Sequence, residues 1–196
     1  TAQIAALSSS QIRAIETDDL VGFSINQIAI LDSNQLAALS SLQITALNSL
    51  QVSAIESRDI TTLSSSMIRA LETRDISGFT SIQISVMNSR QINAFNTIQI
   101  SVLSTAQLAA IDARFVTGLT SSQITVLTSM QISALSTVQI TALNAIQIKA
   151  ISVRGIGGLT TLQIMAWNSA QIGALLNTQI SAFNTNQVAA IEVADI

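Results

Sequence analysis

The stretch Leu71–Phe79, which reads LETRDISGF, concentrates the groups that could do chemistry. It carries three charges in nine residues, although only 10% of the 196 residues are Asp, Glu, Lys or Arg. The chain has no His, Cys, Pro or Tyr. Imidazole and thiolate catalysis and the usual zinc sites are therefore excluded, and carboxylates alone would have to do any acid–base work. We predict no enzyme, no catalytic residue and no cofactor.

Similar charged blocks recur along the chain. They begin at Glu16, Glu56, Glu72, Asp112, Ser152 and Glu192. The interval is 40 residues from Glu72 onward and from Glu16 to Glu56, with one step of 16 between the two series. The six blocks hold 14 of the 19 charges and six of the seven glycines. Because an active site needs one constellation, we interpret the blocks as a recurrent structural position.

A cation site is the alternative interpretation of the charged blocks. Glu16, Asp18 and Asp19 could bind Ca²⁺, which prefers oxygen ligands. The later block at Ser152 has Arg154 and Gly155 where the first has acids. We therefore assign no metal ligand.

The elements that must position these blocks follow a period of eight residues. From Ser8 the chain reads SSSQIRAI, ETDDLVGF, SINQIAIL, DSNQLAAL and so on, without insertion or deletion. Position 5 of this octad is Ile, Leu or Val in all 25 occurrences, and position 8 is apolar in all 24. Position 4 is Gln in 18 of 25, and position 1 is Ser, Thr, Asp or Asn in 19 of 24. We interpret residues 1–196 as a single continuous octapeptide-repeat array.

The octad favours short helices. In one continuous helix, eight residues advance the phase by about 800°, so the apolar stripe would spiral by roughly 80° per octad. Ser or Thr followed three residues later by Gln is a capping box, and the apolar residues at positions 8 and 5 match a hydrophobic staple. We predict an all-α solenoid of very short helices, one per octad, with a 40-residue superperiod. Stacking must stabilise it, because such helices are unstable alone.

A β-solenoid remains the alternative fold. In it, Gln-Ile-x-Ala would form a short strand, and an even period would keep the side chains in register. Adjacent apolar residues at positions 7 and 8 break the alternation, and the corners lack the glycine-containing turns that tight bends prefer.

The superperiod suggests a stacking hypothesis for the charged blocks. If five octads formed one turn, Arg74, Arg114 and Arg154 would lie in a ladder beside the neighbouring carboxylates, with modest energetic value. Glycine at position 7, as in Gly22 and Gly78, would allow a close backbone approach or a tighter bend.

Large apolar residues at position 3 interrupt an otherwise polar face. They are Leu42, Leu50, Ile82, Ile98, Met130, Val138, Ile146 and Leu162. A lateral contact with another chain and partial burial within this one both remain open for them. Trp167, the largest residue at position 8, is predicted to lie in the core.

The runs STAQLAAIDARF, SIQISVMNS and LSTVQITALN resemble the Leu-Thr-Thr-x-Gln-Ile-x-Ala-Leu octapeptide arrays of very large bacterial surface or secreted proteins. The resemblance covers essentially the entire chain, which is richer in Ile, Asn and Ser than in Thr. It implies an extracellular array of adhesin or fibre character and brings no catalytic residues.

We therefore expect a structural extracellular repeat protein, a stiff fibre or stalk segment at a bacterial surface, that associates with itself laterally or end to end. The array opens at position 2 and closes at position 5 without polar capping repeats, so we expect an excerpt of a longer array or one that continues into another copy. The alternative is a binding module for a repetitive target such as polysaccharide or ice.

Two classes of partner are not expected. Eight cationic residues against eleven acidic ones provide no electrostatic footprint for nucleic acid. The mean hydropathy of +0.52 is high, but no apolar run approaches the roughly 18 residues of a membrane-spanning helix, so we predict no membrane insertion.

Overall fold

The computed structural model describes residues 2–194, with side chains described for residues 2–191. The last core position, Ile196, lies outside this range, as do the side chains of the charged octad that begins at Glu192. Helices and turns make up the described residues, and none of these residues lies in a strand. The all-α prediction is confirmed, and the β-solenoid alternative is wrong.

The described residues group into two compact units, one up to residue 102 and the other from residue 103. The helices of the first unit are α1 (Ala2–Ala5), α2 (Ser9–Ala14), α3 (Thr17–Val21), α4 (Ile25–Ala29), α5 (Ser33–Ala38), α6 (Ser41–Thr45), α7 (Ser49–Ala54), α8 (Ser57–Ile60), α9 (Ser65–Ala70), the 3₁₀ helix η1 (Thr73–Gly78), α10 (Ser81–Ser85), α11 (Ser89–Ala94) and α12 (Thr97–Ser101).

The second unit is built in the same way. Its helices are α13 (Thr105–Ala109), α14 (Ala113–Val116), α15 (Ser121–Thr125), α16 (Ser129–Ala134), α17 (Thr137–Ala142), α18 (Ala145–Ala150), α19 (Val153–Ile156), α20 (Thr161–Met165), α21 (Ser169–Ile172), α22 (Asn177–Ile180) and α23 (Thr185–Ala194). From Ser8 onward each octad thus contributes one short helix that begins at its position 2, apart from α23, which continues into the octad at Glu192.

The predicted capping boxes form at the helix starts. In α2, the Ser8 hydroxyl accepts a hydrogen bond from the Gln11 backbone N–H at 3.3 Å, and Gln11 Oε1 accepts from the Ser8 backbone N–H at 2.8 Å. The residue at position 1 is extended, with φ −72° and ψ 161° at Ser8. This extended residue turns the chain between helices, and the cap offsets part of the helix-start cost, by about 1 kcal/mol.

The core runs along the inside of each unit and is built from positions 5 and 8. Ile60, Ile84, Ile132 and Ile148 at position 5 are completely inaccessible to solvent. The residues at position 8, such as Leu47, are also buried. Each octad therefore buries two large apolar side chains, each stabilising the fold by roughly 1.5 to 3 kcal/mol relative to exposure.

One turn of the solenoid comprises between three and four octads in both units. Ser33 in the octad at Asp32 donates a hydrogen bond to Asp59, three octads later. Gln43 donates to the carbonyl oxygen of Ile12, four octads earlier. In the second unit, Thr125 donates to the carbonyl oxygen of Ala150 at 3.0 Å, again three octads later. The hypothesis of five octads per turn is therefore wrong.

Candidate functional site

The glutamines at position 4 form the most regular polar feature of the molecule, which we call the glutamine seam. Gln83 is 2% exposed. Its Oε1 accepts from the Thr80 backbone N–H at 2.8 Å, which closes the capping box of α10. Its Nε2 donates to the carbonyl oxygens of Val52 at 3.0 Å and Ile55 at 2.7 Å, four octads earlier. One buried side chain thus satisfies a helix start and two backbone acceptors of the preceding turn.

This arrangement repeats along both units. An Nε2 bond to the carbonyl oxygen 28 residues earlier is formed by Gln35, Gln43, Gln51, Gln83, Gln91, Gln99, Gln131, Gln139, Gln147, Gln163, Gln171, Gln179 and Gln187. Since buried polar groups are costly unless they are hydrogen-bonded, the seam is what allows a glutamine in every such octad to lie beside the core.

The charged octads interrupt the seam. Asp59 and Asp75 replace the glutamine and are buried. Asp59 accepts a hydrogen bond from the hydroxyl of Ser33, and Asp75 is hydrogen-bonded by the backbone of Ser49. Both partners lie three octads earlier, whereas glutamine reaches four octads back. The shorter carboxylate therefore connects the octad to a different neighbour.

Helix capping also changes in the charged octads. Glu16, Glu56 and Glu72 stand at the N-cap, but their side chains make no capping hydrogen bond. The helix that follows Glu72 is the 3₁₀ helix η1. Because a helix start without a cap leaves backbone N–H groups to water, these octads have weaker helix starts than their neighbours.

Two glycines at position 7 of charged octads lie against the backbone of another turn. A Cβ at Gly78 would overlap the carbonyl group of Ser49, and a Cβ at Gly158 would overlap that of Ser129. The prediction of a close backbone approach is confirmed at these two positions. Gly22 differs, because its nearest neighbour would be the Asp19 carbonyl oxygen at an acceptable 3.3 Å.

The arginines of the charged octads pair within their own octad. Arg58 lies 2.7 Å from Glu56, Arg74 lies 3.0 Å from Glu72, and Arg114 lies 2.6 Å from Asp112. All three guanidinium side chains are exposed. The predicted ladder required one turn every 40 residues, and the turns of both units are shorter, so that prediction is wrong. Such exposed pairs stabilise little.

Two aspartates of the charged octads have shifted ionisation. Burial raises the pKa of Asp75, and the hydrogen bond from Arg74 opposes the rise only in part. The hydrogen bonds from the Arg114 side chain and backbone lower the pKa of Asp112 to about 2. One carboxylate is thus destabilised by its surroundings and the other is stabilised by an exposed partner.

The chemistry of a cation site is not assembled. Among the residues that the structure describes, no group of three or more His, Cys, Asp or Glu side chains could hold a metal ion. Glu16, Asp18 and Asp19 are all exposed on or beside α3. The Ca²⁺ alternative for these residues is therefore not supported by the geometry.

The large residues at position 3 are exposed. Their solvent-exposed fractions range from 63% for Ile98 to 73% for Leu42. The alternative of partial burial within this chain is therefore wrong for them. Trp167, in contrast, is 3% exposed and lies in the core as predicted, although its Nε1 has no described hydrogen-bond partner.

A groove of about 530 Å³ lies beside α21 and α22. Lys149 and residues 173–178 line it. Leu176 occupies position 1 there, where other octads have a capping side chain. The groove therefore coincides with a local defect in the repeat.

The regularity of the seam and the caps is matched by the comparison with known families. Residues 12–49 and 52–89 match the family model of the ALTTAQ repeat. No curated protein matches the chain. The two ALTTAQ matches begin 40 residues apart, and Glu16 and Glu56 occupy the same place in each. The resemblance to an octapeptide-type repeat array is confirmed over these two ranges, and the 40-residue superperiod coincides with the spacing of the ALTTAQ matches.

The amide groups of the seam were not predicted from the sequence as links between turns. The capping-box motif accounted for the glutamine Oε1 and left the Nε2 without a role. The signal was present, because a buried glutamine needs partners for both ends of its amide.

Proposed function

We propose that this chain is a structural segment of an extracellular bacterial repeat protein, in which the solenoid acts as a stiff spacer in a fibre or stalk. The glutamine seam carries the proposal. Each seam glutamine joins its own helix start to the backbone of the preceding turn, as Gln139 does with Ser136, Leu108 and Ile111. Successive turns are therefore joined by buried hydrogen bonds as well as by the apolar core, which resists bending and sliding between turns.

The use of surface hydroxyls supports a structural role over a binding role. Hydroxyls at position 1 are engaged in helix caps, as in Ser136. Hydroxyls at position 6 donate to carbonyl groups of their own helix, as Ser53 does to Leu50 at 2.7 Å and Thr141 does to Val138 at 3.1 Å. A lattice of donors directed toward glycan or ice would have to give up these internal bonds first.

Cell-surface labelling tests the proposal. Antibodies raised against the purified chain should label intact, unpermeabilised cells of the source bacterium in immunogold electron microscopy. An antibody against a cytoplasmic protein serves as the control for cell integrity. Labelling that occurs only after permeabilisation would contradict an extracellular role.

Binding assays separate the structural proposal from the alternative of a binding module. The purified chain should neither retain glycans on an array nor inhibit ice recrystallisation. Saturable binding to one glycan class, lost on replacing exposed Ser and Thr at position 6 by Ala without unfolding, would favour the binding module.

A further inference from the structure

We infer that the amino-terminal end of the first unit is a docking surface for the carboxyl-terminal end of the second unit in another copy of this chain. The inference rests on the proposed structural function and names its partner. The argument is the hydrogen-bond complementarity of the two ends, which repeats the bonds that join successive turns within each unit.

The amino-terminal end offers unused amide donors. Gln11 Oε1 accepts from the Ser8 backbone N–H at 2.8 Å, and Gln27 Oε1 accepts from that of Ser24 at 2.9 Å, as in the rest of the seam. Among the described residues, the Nε2 groups of Gln3, Gln11 and Gln27 have no acceptor, because no octad lies four places before them. Gln3 and Gln11 are exposed, whereas the interior seam glutamines are buried.

The carboxyl-terminal end offers the matching acceptors. Inside the second unit, the Ile156 carbonyl oxygen accepts both the Leu159 backbone N–H at 3.1 Å and Gln187 Nε2 at 3.0 Å. The carbonyl oxygens of Ile172 and Ile180 accept only the backbone bond of this pair in the described residues, at 3.1 Å each. Those of Leu175 and Phe183 accept none there. These are the positions 5 and 8 that the seam uses elsewhere.

The spacing and the apolar surroundings of the two ends also match. Gln3 and Gln11 are one octad apart, as are Ile172 and Ile180, so Gln3 can meet the first of these while Gln11 meets the second. Ile180 is 45% exposed, and Ile4 and Leu7 are only half-buried, although these positions are buried inside the units. Docking would cover apolar surface and satisfy the amides at the same time. A contact of this head-to-tail kind generates filaments when it does not close.

Sedimentation velocity of the purified chain over a range of concentrations tests the inference, with negative-stain electron microscopy of the same samples. The wild-type chain should show a weight-average mass that rises with concentration. The double variant Gln3→Glu/Gln11→Glu should stay monomeric over the same range. Each Glu retains the oxygen that closes the capping box but presents a second oxygen to the partner's carbonyl, where a donor is needed.

A charge-matched variant is the control. Ser53→Glu/Thr141→Glu adds the same charge at exposed positions away from both ends and should associate like the wild type. Far-UV circular dichroism and thermal unfolding should be unchanged in Gln3→Glu/Gln11→Glu, which shows that any loss of association does not come from unfolding. A wild-type chain that is monomeric at every concentration overturns the inference.

The exposed position-3 residues provide the competing contact. If Leu42→Ser/Leu50→Ser abolishes association while Gln3→Glu/Gln11→Glu does not, the chains meet laterally and the inference is overturned. Its failure is distinguishable from failure of the proposed function. A monomeric chain that labels the cell surface overturns only the inference, whereas an associating chain found only inside cells overturns only the extracellular proposal.

Discussion

Octads with glutamine at position 4 and charged octads occupy the same solenoid but hold it together by different bonds. In the octad at Thr80, Gln83 caps its helix and reaches back four octads. In the octad at Glu72, the N-cap side chain makes no capping bond, Asp75 contacts the turn three octads back, and Gly78 lies against the backbone of Ser49. The charged octads therefore replace amide links by close backbone contact, and their charge is secondary.

The largest expected effect is the loss of one interior seam amide. Gln83→Leu removes the acceptor for the Thr80 N–H and leaves the buried carbonyl oxygens of Val52 and Ile55 unpaired. Each buried unsatisfied group costs about 1 to 3 kcal/mol, so the free energy of unfolding should fall by about 3 kcal/mol or more. Urea denaturation followed by circular dichroism measures the change.

The matched control for Gln83 is Gln11, which caps α2 but has no acceptor for its Nε2 in the described residues. Gln11→Leu should cost only about 1 kcal/mol, the value of a cap. Equal losses in the two variants would mean that the links between turns add nothing beyond capping.

The close backbone approach of the charged octads predicts the next effect. Gly78→Ala introduces a Cβ into the carbonyl group of Ser49. The two turns must separate, and overpacking of this kind costs about 1 to 3 kcal/mol. Gly22→Ala, at the same position of the octad at Glu16, should instead be neutral or stabilise by up to about 1 kcal/mol, because space is available and the backbone is already helical. Thermal unfolding of both variants tests the pair, and a similar destabilisation by both would refute the close-approach explanation.

Restoring a cap should move a charged octad toward its neighbours. Glu16→Ser gives α3 the hydroxyl acceptor that its N-cap lacks, and should raise the free energy of unfolding by about 0.5 kcal/mol. The opposite change, Ser24→Ala in the next octad, removes a formed capping box and should lower it by about 1 kcal/mol. Amide hydrogen exchange in α3 and α4 reports each change locally. No gain in protection of α3 would show that the missing cap is not what weakens this helix start.

The smallest effects concern single carboxyl groups. The pKa of Asp75 is raised by burial, so the folded protein binds this proton more tightly than the unfolded chain, and the stability gained through Asp75 grows as the pH falls through its raised pKa. The pKa of Asp112 is lowered to about 2, so its contribution is present above the ordinary value of 3.8 and is lost as the pH falls from 3.8 to about 2.

Thermal unfolding between pH 7 and pH 2 separates these two contributions. Asp75→Asn should reduce the gain on acidification, since its amide oxygen still accepts a hydrogen bond but cannot be protonated in this range. Asp112→Asn should remove part of the loss below pH 3.8. Parallel pH profiles for wild type and both variants would contradict the assignments.

The local structure could be predicted from the sequence because it depends on neighbours within one octad. Ser8 and Gln11 are three residues apart, and so their capping box is readable in the pattern. The same holds for the core positions, since the staple that joins positions 8 and 5 is also local. Confirmation of the short-helix solenoid rests on these short-range features.

The turn of the solenoid could not be predicted in this way. It depends on how far each helix rotates from the last, which is a sum of small backbone angles rather than a residue type. The 40-residue superperiod suggested a turn that would align Arg114 with Arg154, but the turns of both units span fewer residues. The role of Gly78 was inferred only in kind, because its partner Ser49 becomes visible once the turn is known.

The seam has a direction. Gln43 bonds to Ile12 and Ile15, and every seam glutamine likewise finds its Nε2 acceptors 28 to 31 residues earlier in the chain, never later. A polypeptide that emerges amino terminus first, from a ribosome or through an export channel, therefore presents each new glutamine to a turn that has already been made. Each turn acts as the template for the next, and the array can fold as it appears, without waiting for the residues that follow.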